Sequence, residues 1–453
     1  MKKVVRPVLA VSLALLLPLM AWAGGQKEGA ASSAASPSAG PTKIIVWDFL
    51  SGGDGVRWQQ ILNDFNASQN KLVADHTTLT WGDPFYPKVH TAVVAGQTPD
   101  MMTYHISHFP AGILAGDLRP FTEAELQTVG LSYKDFNPVL VKRSLEISKA
   151  YGKAGDLYGV PLDAHTFVLY YNKDLLKQAG LLGADGTPLA AVTGVDNFTA
   201  ALQKLKSITG TPPLGMSSAN DPASVWRMWY TLFEQLGGGE LAHNGKLQLD
   251  TLDTAGVKAL QTMVDWAQQG LLTPNISYAA DVSLFLSGKT AFMANGNWEV
   301  PTMVDAQKKG TLTFGYGVMA FPQLFNNRDT WADSHNLAIP NNTKNPISPA
   351  MLHDVLTLIA YIEHHAIIWA GGGHLPAYLP VLDSSELAHM VPNDEYSVQA
   401  AKDATFEPIS PVFGVGNPAY DAVGNFLTPA LTGQLSVKDA IAKFKAQLES
   451  YAQ

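Results

Sequence analysis

Cysteine is absent from this chain of 453 residues. Without cysteine no disulfide can form, so we expect the apolar core alone to hold the fold together. A bacterial lipoprotein carries its lipid on a cysteine directly after the cleavage site of its export signal. We therefore expect no lipid anchor at that point.

Long apolar runs are scarce, and the clearest one lies at the N-terminus. It covers Val8–Met20 and is too short for a membrane-spanning helix, which needs about 20 residues. The basic residues Lys2, Lys3 and Arg6 precede it, and Ala21–Ala23 follows with small residues at its first and third positions. This order is typical of a secretory signal peptide, which we predict over residues 1–23.

Residues 24–41 are mostly Gly, Ala, Ser and Pro. Such a segment buries too little apolar surface to offset its ordering entropy, so we predict a flexible leader. The remaining chain, about 410 residues, is long for one simple core and favours two lobes. Because an exported protein without an anchor would diffuse away unless an outer membrane retained it, we expect a periplasmic location.

Positive charge is also scarce. The formal net charge of −9 becomes −12 once the three basic residues of the predicted signal peptide are removed. A nucleic-acid partner is therefore not expected, since it requires a basic patch. The remaining arginines are scattered and form no evident cluster for a phosphate ester. They are Arg57, Arg119, Arg143, Arg227 and Arg328.

Motifs of several enzyme classes are missing. The chain contains no Gly-x-Ser-x-Gly elbow and no Gly-x-x-x-x-Gly-Lys loop, and His364-His365 lacks the spacing of a helical metal pair. We therefore expect no catalysis, no metal and no cofactor. Carboxylates are abundant, so a glycosidase acid pair stays open as an alternative.

Strand and helix patterns alternate along the chain. Ile44–Phe49 is a continuous apolar run typical of a buried strand, and the loop Ser51–Gly55 follows it. A helix is predicted next from the helical spacing of Trp58, Ile61, Leu62 and Phe65. Phe167–Tyr171 repeats the strand pattern, so the fold class is predicted to be α/β.

Six short segments, in order, resemble one protein family. Tyr158–Pro161 followed by Tyr170–Asp174 is similar to the signature of extracellular solute-binding proteins of family 1, which are relatives of maltose-binding protein. The other similar segments are Gly96–Asp100, Gly116–Pro120, Gly288–Met293 with Gly296–Trp298, Gly373–Ala377 and Leu431–Gly433. Each is weak alone, but together they span nearly the whole chain after the leader.

The resemblance implies a two-lobed periplasmic-binding-protein fold of type II with a ligand cleft between discontinuous lobes. Crossovers between the lobes are implied near Ala164, near Gly315–Val318 and near Glu363. One lobe would comprise residues 42–164 and 317–364, and the other residues 165–316 and 365–453. Such a protein acts as a monomer that closes on a carbohydrate and delivers it to the permease subunits of an ABC transporter.

Sugar recognition combines aromatic faces for C–H patches with polar groups for hydroxyls. Trp298 is the best candidate, because it matches the tryptophan of the family's Gly-x-Trp element. Asp163 and His165 follow the predicted crossover. Trp226 is a further candidate, on a predicted helix. The other candidate ligand-binding residues lie on loops or at strand ends: Asp48, Asp54, Trp81, Asp83, Tyr104, His105, Asp333, His335, Gly372, Gly373 and Tyr420.

A different solute stays open as an alternative. Five of the candidate residues are aspartates, and together with the tryptophans they would also suit a polyamine. Glycerol-3-phosphate is a further alternative, although it calls for a cluster of basic residues. Only the resemblance favours a sugar.

Overall fold

The computed structural model describes residues 40–82, 84–243 and 245–451. The predicted signal peptide and nearly all of the predicted leader lie outside these residues, as does Asp83. Among the described helices, none combines the length and the apolar character needed to cross a membrane.

Strands and helices alternate, which confirms the α/β class. The strands, β1 to β15 in chain order, are Thr42–Asp48, Leu72–Thr78, Met101–His105, Leu118–Arg119, Val160–Pro161, Asp163–Asn172, Leu214–Gly215, Ala242–His243, Lys246–Leu247, Phe292–Gly296, Tyr316–Ala320, Thr330–Asp333, His335–Pro340, Leu375–Pro376 and Ala404–Phe406. The helices, α1 to α19, are Gly52–Ser68, Phe85–Ala95, Phe109–Leu114, Glu123–Gln127, Pro138–Tyr151, Lys173–Gln178, Val195–Thr209, Pro222–Gln235, Ala255–Gln268, Tyr278–Leu286, Val300–Lys308, Pro349–His364, Ala366–Ala370, Leu379–Leu382, Ser385–Ala388, Asn393–Asp403, Pro418–Ala422, Thr428–Leu431 and Val437–Tyr451.

The first helix confirms the prediction from its apolar spacing. It begins inside the predicted glycine-rich loop, at Gly52, and it buries the four predicted residues against the first sheet and its neighbours: Trp58, Ile61, Leu62 and Phe65. Residues three and four positions apart lie on the same face of a helix, so these four side chains form one apolar stripe that packs into the core.

The first sheet has the strand order β2-β1-β3-β13-β4, and β5 also pairs with β13. Strand β1 runs parallel to β2 and β3, while β13 runs antiparallel to β3. The central strand β3 is buried along its whole length.

The second sheet has the order β15-β12-β6-β10-β7, and β11 and β14 also pair with β6. All ten residues of β6 are buried. This burial agrees with the continuous apolar run that predicted a strand there, because a strand covered on both faces does not alternate.

The chain passes between the two sheets at single residues. Leu162 separates β5 of the first sheet from β6 of the second, close to the crossover predicted near Ala164. Ser334 separates β12 of the second sheet from β13 of the first. The strand Tyr316–Ala320, where the resemblance implied a crossover, pairs instead with β6. That expectation is corrected: the partner of a strand depends on distant residues, so the passage occurs at Ser334.

The strand ends at these passages bring polar side chains together. His335 at the start of β13 pairs in register with His105 at the end of β3. Asp333 at the end of β12 pairs with His165 near the start of β6. The two sheets therefore meet at a cluster of histidines and acids.

Candidate functional site

A cavity of about 650 Å³ lies where the two sheets meet. This volume is in the range of pockets that hold small molecules. Six of the predicted ligand-binding residues line it: Asp54, Trp81, His105, His165, Trp298 and His335.

Four other predicted residues are buried away from the cavity wall. Trp226 stacks on Tyr230 and is fully buried, so the choice of Trp226 is corrected to a core residue. Tyr104 packs edge-on against Tyr86 in the core of the first sheet. Tyr420 and Asp48 are also buried among protein groups rather than on the wall.

The contacts of these last two residues explain their burial. The Asp48 carboxylate accepts hydrogen bonds from the indole N–H of Trp58 at 3.1 Å and from the backbone N–H of Leu50 at 3.1 Å. The Tyr420 hydroxyl donates to Glu407 at 2.6 Å. Both side chains therefore fix the protein's own structure.

The predicted glycines lie behind the cavity wall. A Cβ atom on Gly373 would stand 2.1 Å from the carbonyl oxygen of Asn297. A Cβ on Gly372 would stand 3.2 Å from Asp54. The structure thus shows protein atoms packed closely against both glycine backbones. Asp83 lies outside the described residues.

Asp163 is fully buried beneath the cavity and gathers several donors. Its two oxygens accept from the backbone N–H of His335 at 2.9 Å, from the imidazole of His335 at 2.8 Å, and from the indole of Trp369 at 2.7 Å. The Nδ1 atoms of His165 and His374 lie 3.1 Å away. Burial alone would raise the pKa of Asp163, but His335 and His374 outweigh it and hold that pKa well below its usual value.

His374 connects this buried acid with the cavity wall. Its Nδ1 faces Asp163, and its Nε2 lies 2.9 Å from Asp54, which lines the cavity. Burial would lower the pKa of His374, but Asp54 and Asp163 raise it to about 10. The imidazolium therefore neutralises part of the acid charge here, and Trp369 stacks on its ring at 4.4 Å.

Three more imidazoles form a continuous face of the cavity. His165 and His335 stack with ring centroids 4.2 Å apart, and His105 lies 4.9 Å from His335. Burial lowers the pKa of His105 well below its ordinary value, and it lowers that of His165 to about 3. Both rings are therefore neutral near pH 7, so each offers one donor and one acceptor nitrogen. The tyrosine hydroxyl of Tyr86 engages Nδ1 of His105 at 2.6 Å.

Next to these imidazoles, tryptophans surround a cation. The guanidinium of Arg227 lies 4.6 Å from the ring of Trp298 and 4.7 Å from that of Trp331. The indole N–H of Trp298 donates to the hydroxyl of Tyr278 at 2.9 Å, and this hydroxyl donates to Glu299 at 2.5 Å. The turn Asn297–Glu299 supplies both Trp298 and Glu299 directly before α11.

Sequence reasoning missed Arg227, His374, Tyr278 and Glu299. Arg227 was visible only as one of the scattered arginines, beside the tryptophan chosen in its place. Successive residues of a helix point about 100° apart, so the neighbour of a core residue can face a cavity. One sequence feature could have pointed to Glu299 as a site residue, namely its position directly after Trp298.

Two sets of side chains carry metal-ligand atoms within 4.8 Å of one another. One is Asp163, His165, His335 and His374, and the other is His105, His165 and Asp333. In the first set the Nδ1 atoms already contact the Asp163 carboxylate, and Asp333 accepts from Ser107 at 2.6 Å. These ligand atoms thus contact one another or other protein groups, and the expectation that no metal binds stays a prediction.

Known proteins with sugar-related names are similar to this chain. The arabinooligosaccharide-binding protein of Bacillus subtilis (strain 168) is 25% identical over 253 residues, which are 54% of this chain and 52% of that protein. The maltooligosaccharide ABC transporter solute-binding lipoprotein of Streptococcus pneumoniae (strain R6) is 24% identical over 63% of each chain. The chain thus spans about half of the first of these relatives and less than two thirds of the second.

Solved structures share the fold. The GacH receptor of Streptomyces glaucescens GLA.O, solved unliganded and with acarbose, superposes with a TM-score of 0.73 at 19% identity over 91% of this chain and 97% of that one. The two sheets described above therefore form a two-lobed fold like that of maltose-binding protein. The model of the family described as bacterial extracellular solute-binding protein matches residues 51–351. The chain belongs to this family of bacterial extracellular solute-binding proteins.

Proposed function

We propose that this protein is the substrate-binding component of an ABC importer and that it captures a sugar or oligosaccharide in the cavity between its sheets. One observation carries the proposal: tryptophan rings and neutral imidazoles lie side by side on the cavity wall. The sugar-binding relatives support it. Transfer of the bound sugar to permease subunits in the inner membrane follows from this function.

The aromatic rings and the polar groups of the cavity suit the two kinds of surface of a sugar. Trp81 is 41% exposed and lines the cavity, so its ring is available to cover the C–H face of a pyranose. Nδ1 of His105 is engaged by Tyr86 and Nδ1 of His165 by Asp163, so Nε2 of each ring remains for one hydrogen bond with a sugar hydroxyl. Asp54 adds a carboxylate acceptor.

Lobe closure is part of the proposal. We assign residues 42–164 and 335–364 to one lobe and residues 165–333 and 365–453 to the other, so that the second boundary follows the strand pairing and lies at Ser334 instead of the predicted 316/317. The short passages at Leu162 and Ser334 can act as hinges, because a few dihedral angles suffice to rotate two rigid units. We further propose export by the N-terminal signal, a periplasmic location and action as a monomer.

A polyamine is the second candidate, and specific contacts weigh against it. Aromatic rings and acids would suit an ammonium group, but Arg227 already lies on the rings of Trp298 and Trp331. Asp54 and Asp163 already share the cation of His374. A ligand ammonium would therefore meet occupied rings and engaged carboxylates.

A thermal-shift screen tests the ligand class. Purified protein is heated with neutral and acidic mono- and oligosaccharides, with polyamines and with phosphate esters. A tight ligand raises Tm by mass action, and we expect the sugars to give the largest shifts. Shifts by polyamines alone would contradict the sugar proposal.

The same purified protein should leave its ligand unchanged. Chromatography of each sugar after long incubation tests this, and we expect the starting sugar to be recovered in full. Conversion of any sugar into shorter products would show an enzyme instead and would reject the transport proposal.

A further inference from the structure

Arg227 is a buried cation in the cavity wall. Its side chain is 6% exposed and lines the cavity, and its Nε atom has no hydrogen-bond partner. Arg119 and Arg328 pair with carboxylates at 2.6 Å and 3.3 Å. Across residues 40–82, 84–243 and 245–451, Arg227 has no such ion pair. A buried guanidinium without hydrogen-bond acceptors is costly, so its donors indicate a missing acceptor.

The surroundings hold this guanidinium in place without satisfying it. Arg227 lies on α8, whose first turn is capped by Asp221. Trp298 and Trp331 contact it with their rings, and the ring of Trp81 lies 5.8 Å away. Aromatic faces attract a guanidinium but accept none of its in-plane hydrogen bonds in the way a carboxylate does. The cation is thus positioned in advance of ligand binding.

The carboxylates of the cavity wall are engaged elsewhere. Asp54 lies 2.9 Å from the cation of His374. Asp221 accepts from the backbone N–H of Ser224 at 3.1 Å. Glu299 accepts from Tyr278, and burial raises its pKa.

Two deeper acids also lie on this side of the cavity. Asp333 accepts from the hydroxyl of Ser107, and Glu407 accepts from Trp331 at 2.8 Å. Burial raises the pKa of both, to about 7 for Asp333, although Arg227 itself acts to lower that of Glu407. Asp333 is therefore only partly charged near neutral pH. Neither acid forms an ion pair with Arg227, which leaves the cavity side of the guanidinium open to an anion.

We propose that Arg227 binds the carboxylate of an acidic sugar, so that the ligand is a uronic acid or an oligosaccharide with a uronate unit. This inference rests on the proposed function and names its substrate class. A guanidinium binds a planar carboxylate through two parallel hydrogen bonds. A phosphate ester carries up to two negative charges, and this wall offers one unpaired cation, so a carboxylate is the better match.

The ligand would then contact the cation, the imidazoles and the exposed tryptophan of the cavity at once. Its carboxylate would supply the hydrogen-bond acceptor that Arg227 lacks. Its hydroxyls would reach His105 and His165, and its C–H face would cover Trp81. A neutral sugar would leave the guanidinium buried and unpaired when the cavity closes. We therefore expect neutral sugars to bind more weakly for two reasons. They lack the contact with Arg227, and they leave its buried guanidinium unpaired, which costs free energy.

Calorimetric titration tests this with matched ligands. The probes are galacturonic and glucuronic acid and their di- and trisaccharides, each compared with its methyl ester and with the neutral sugar of equal length. We expect the uronate to bind at least about tenfold more tightly than its methyl ester. In Arg227→Gln this preference should fall to below about threefold, with Tm and circular dichroism checked for folding.

One further variant acts as a control. Arg328→Gln removes an arginine that pairs with Asp403 away from the cavity and should keep the full preference.

The remaining outcomes separate this inference from the proposed function. Three outcomes would overturn the uronate inference: equal binding of neutral sugars and uronates, an unchanged preference in Arg227→Gln, or tight binding of phosphate esters alone. In the first two cases sugar binding itself would stand. Binding of polyamines without any sugar would reject both.

Discussion

Trp298 combines several contacts in one side chain. Its indole N–H donates to Tyr278, its ring carries the guanidinium of Arg227, and it lies edge-on to His165 at 5.8 Å between ring centroids. Gly296 packs so closely that a Cβ there would stand 2.0 Å from the indole. The ring therefore forms part of the cavity wall and also supports the cation beside it.

We predict that Trp298→Ala weakens ligand binding by more than about tenfold while folding is preserved. The substitution removes cavity wall and the aromatic support of Arg227 together, and calorimetry with the best ligand of the thermal-shift screen measures the loss. Trp47→Ala serves as the matched control, since Trp47 is a partly buried tryptophan that does not line the cavity. Unchanged affinity in Trp298→Ala would remove Trp298 from the binding site.

The turn before β14 holds the turn Asn297–Glu299 in position. Gly373 has a φ of +91°, and its carbonyl accepts from the amide of Asn297 at 2.8 Å and from the hydroxyl of Tyr396 at 2.5 Å. Because Asn297 directly precedes Trp298, this contact couples the glycine turn to the cavity wall. Gly373 thus supports the site from behind.

We predict that Gly373→Ala lowers the free energy of unfolding by about 3 kcal/mol, since its Cβ would overlap the Asn297 carbonyl in addition to the backbone strain. Gly433→Ala is the control for strain alone: its φ is +74°, and no atom lies within 4 Å of the added Cβ. We expect about 1 kcal/mol there. Urea denaturation compares the two, and equal losses would mean that the contact with Asn297 contributes nothing.

The stability of the whole protein should depend on the histidines buried between the sheets. Burial lowers the pKa of His105 well below its usual value, that of His108 to about 4 and that of His165 to about 3. In the unfolded chain these groups titrate near pH 6.5. Below pH 6.5 these three groups therefore bind more protons in the unfolded state, so each of them lowers the stability as the pH drops toward its folded pKa.

We predict that each of these histidines lowers the free energy of unfolding by up to about 1.4 kcal/mol per pH unit between pH 6.5 and pH 4, a contribution opposed by buried acids with a raised pKa such as Asp333. His165→Gln should remove one such contribution and so change the slope of the free energy of unfolding against pH, whereas His243→Gln, at an exposed position, should leave that slope unchanged. Denaturant unfolding at several pH values measures it. An identical slope in His165→Gln and in the unmodified protein would contradict the prediction.

His374 affects the pH dependence of stability with the opposite sign. Its pKa in the folded protein is raised to about 10, so its stabilising contribution is full below pH 6.5 and is lost as the pH rises toward 10. The contribution of His374 to stability thus changes on the alkaline side of neutrality. His374→Gln should flatten the alkaline side alone, and a loss of stability that is equal at all pH values would exclude this linkage.

Much of the site could be predicted because its residues follow strands or turns with a clear pattern. Trp81, His105, His165, Trp298 and His335 are such residues, and the structure places all of them on the cavity wall. Trp226 and Tyr104 carried the same kind of signal and lie in the core. Apolar periodicity reports which face of an element is buried, but it does not report whether that face meets other side chains or a cavity.

The sequence by itself determined the α/β class, the alternation of elements and the family, because these depend on local periodicity and on short motifs. The tertiary structure alone decided that the chain crosses at Ser334, that Asp163 gathers the histidines, and that Arg227 lies on the tryptophans without a carboxylate of its own among the described residues. Strand partners and the packing around a buried charge join residues far apart in the chain. No local pattern encodes them.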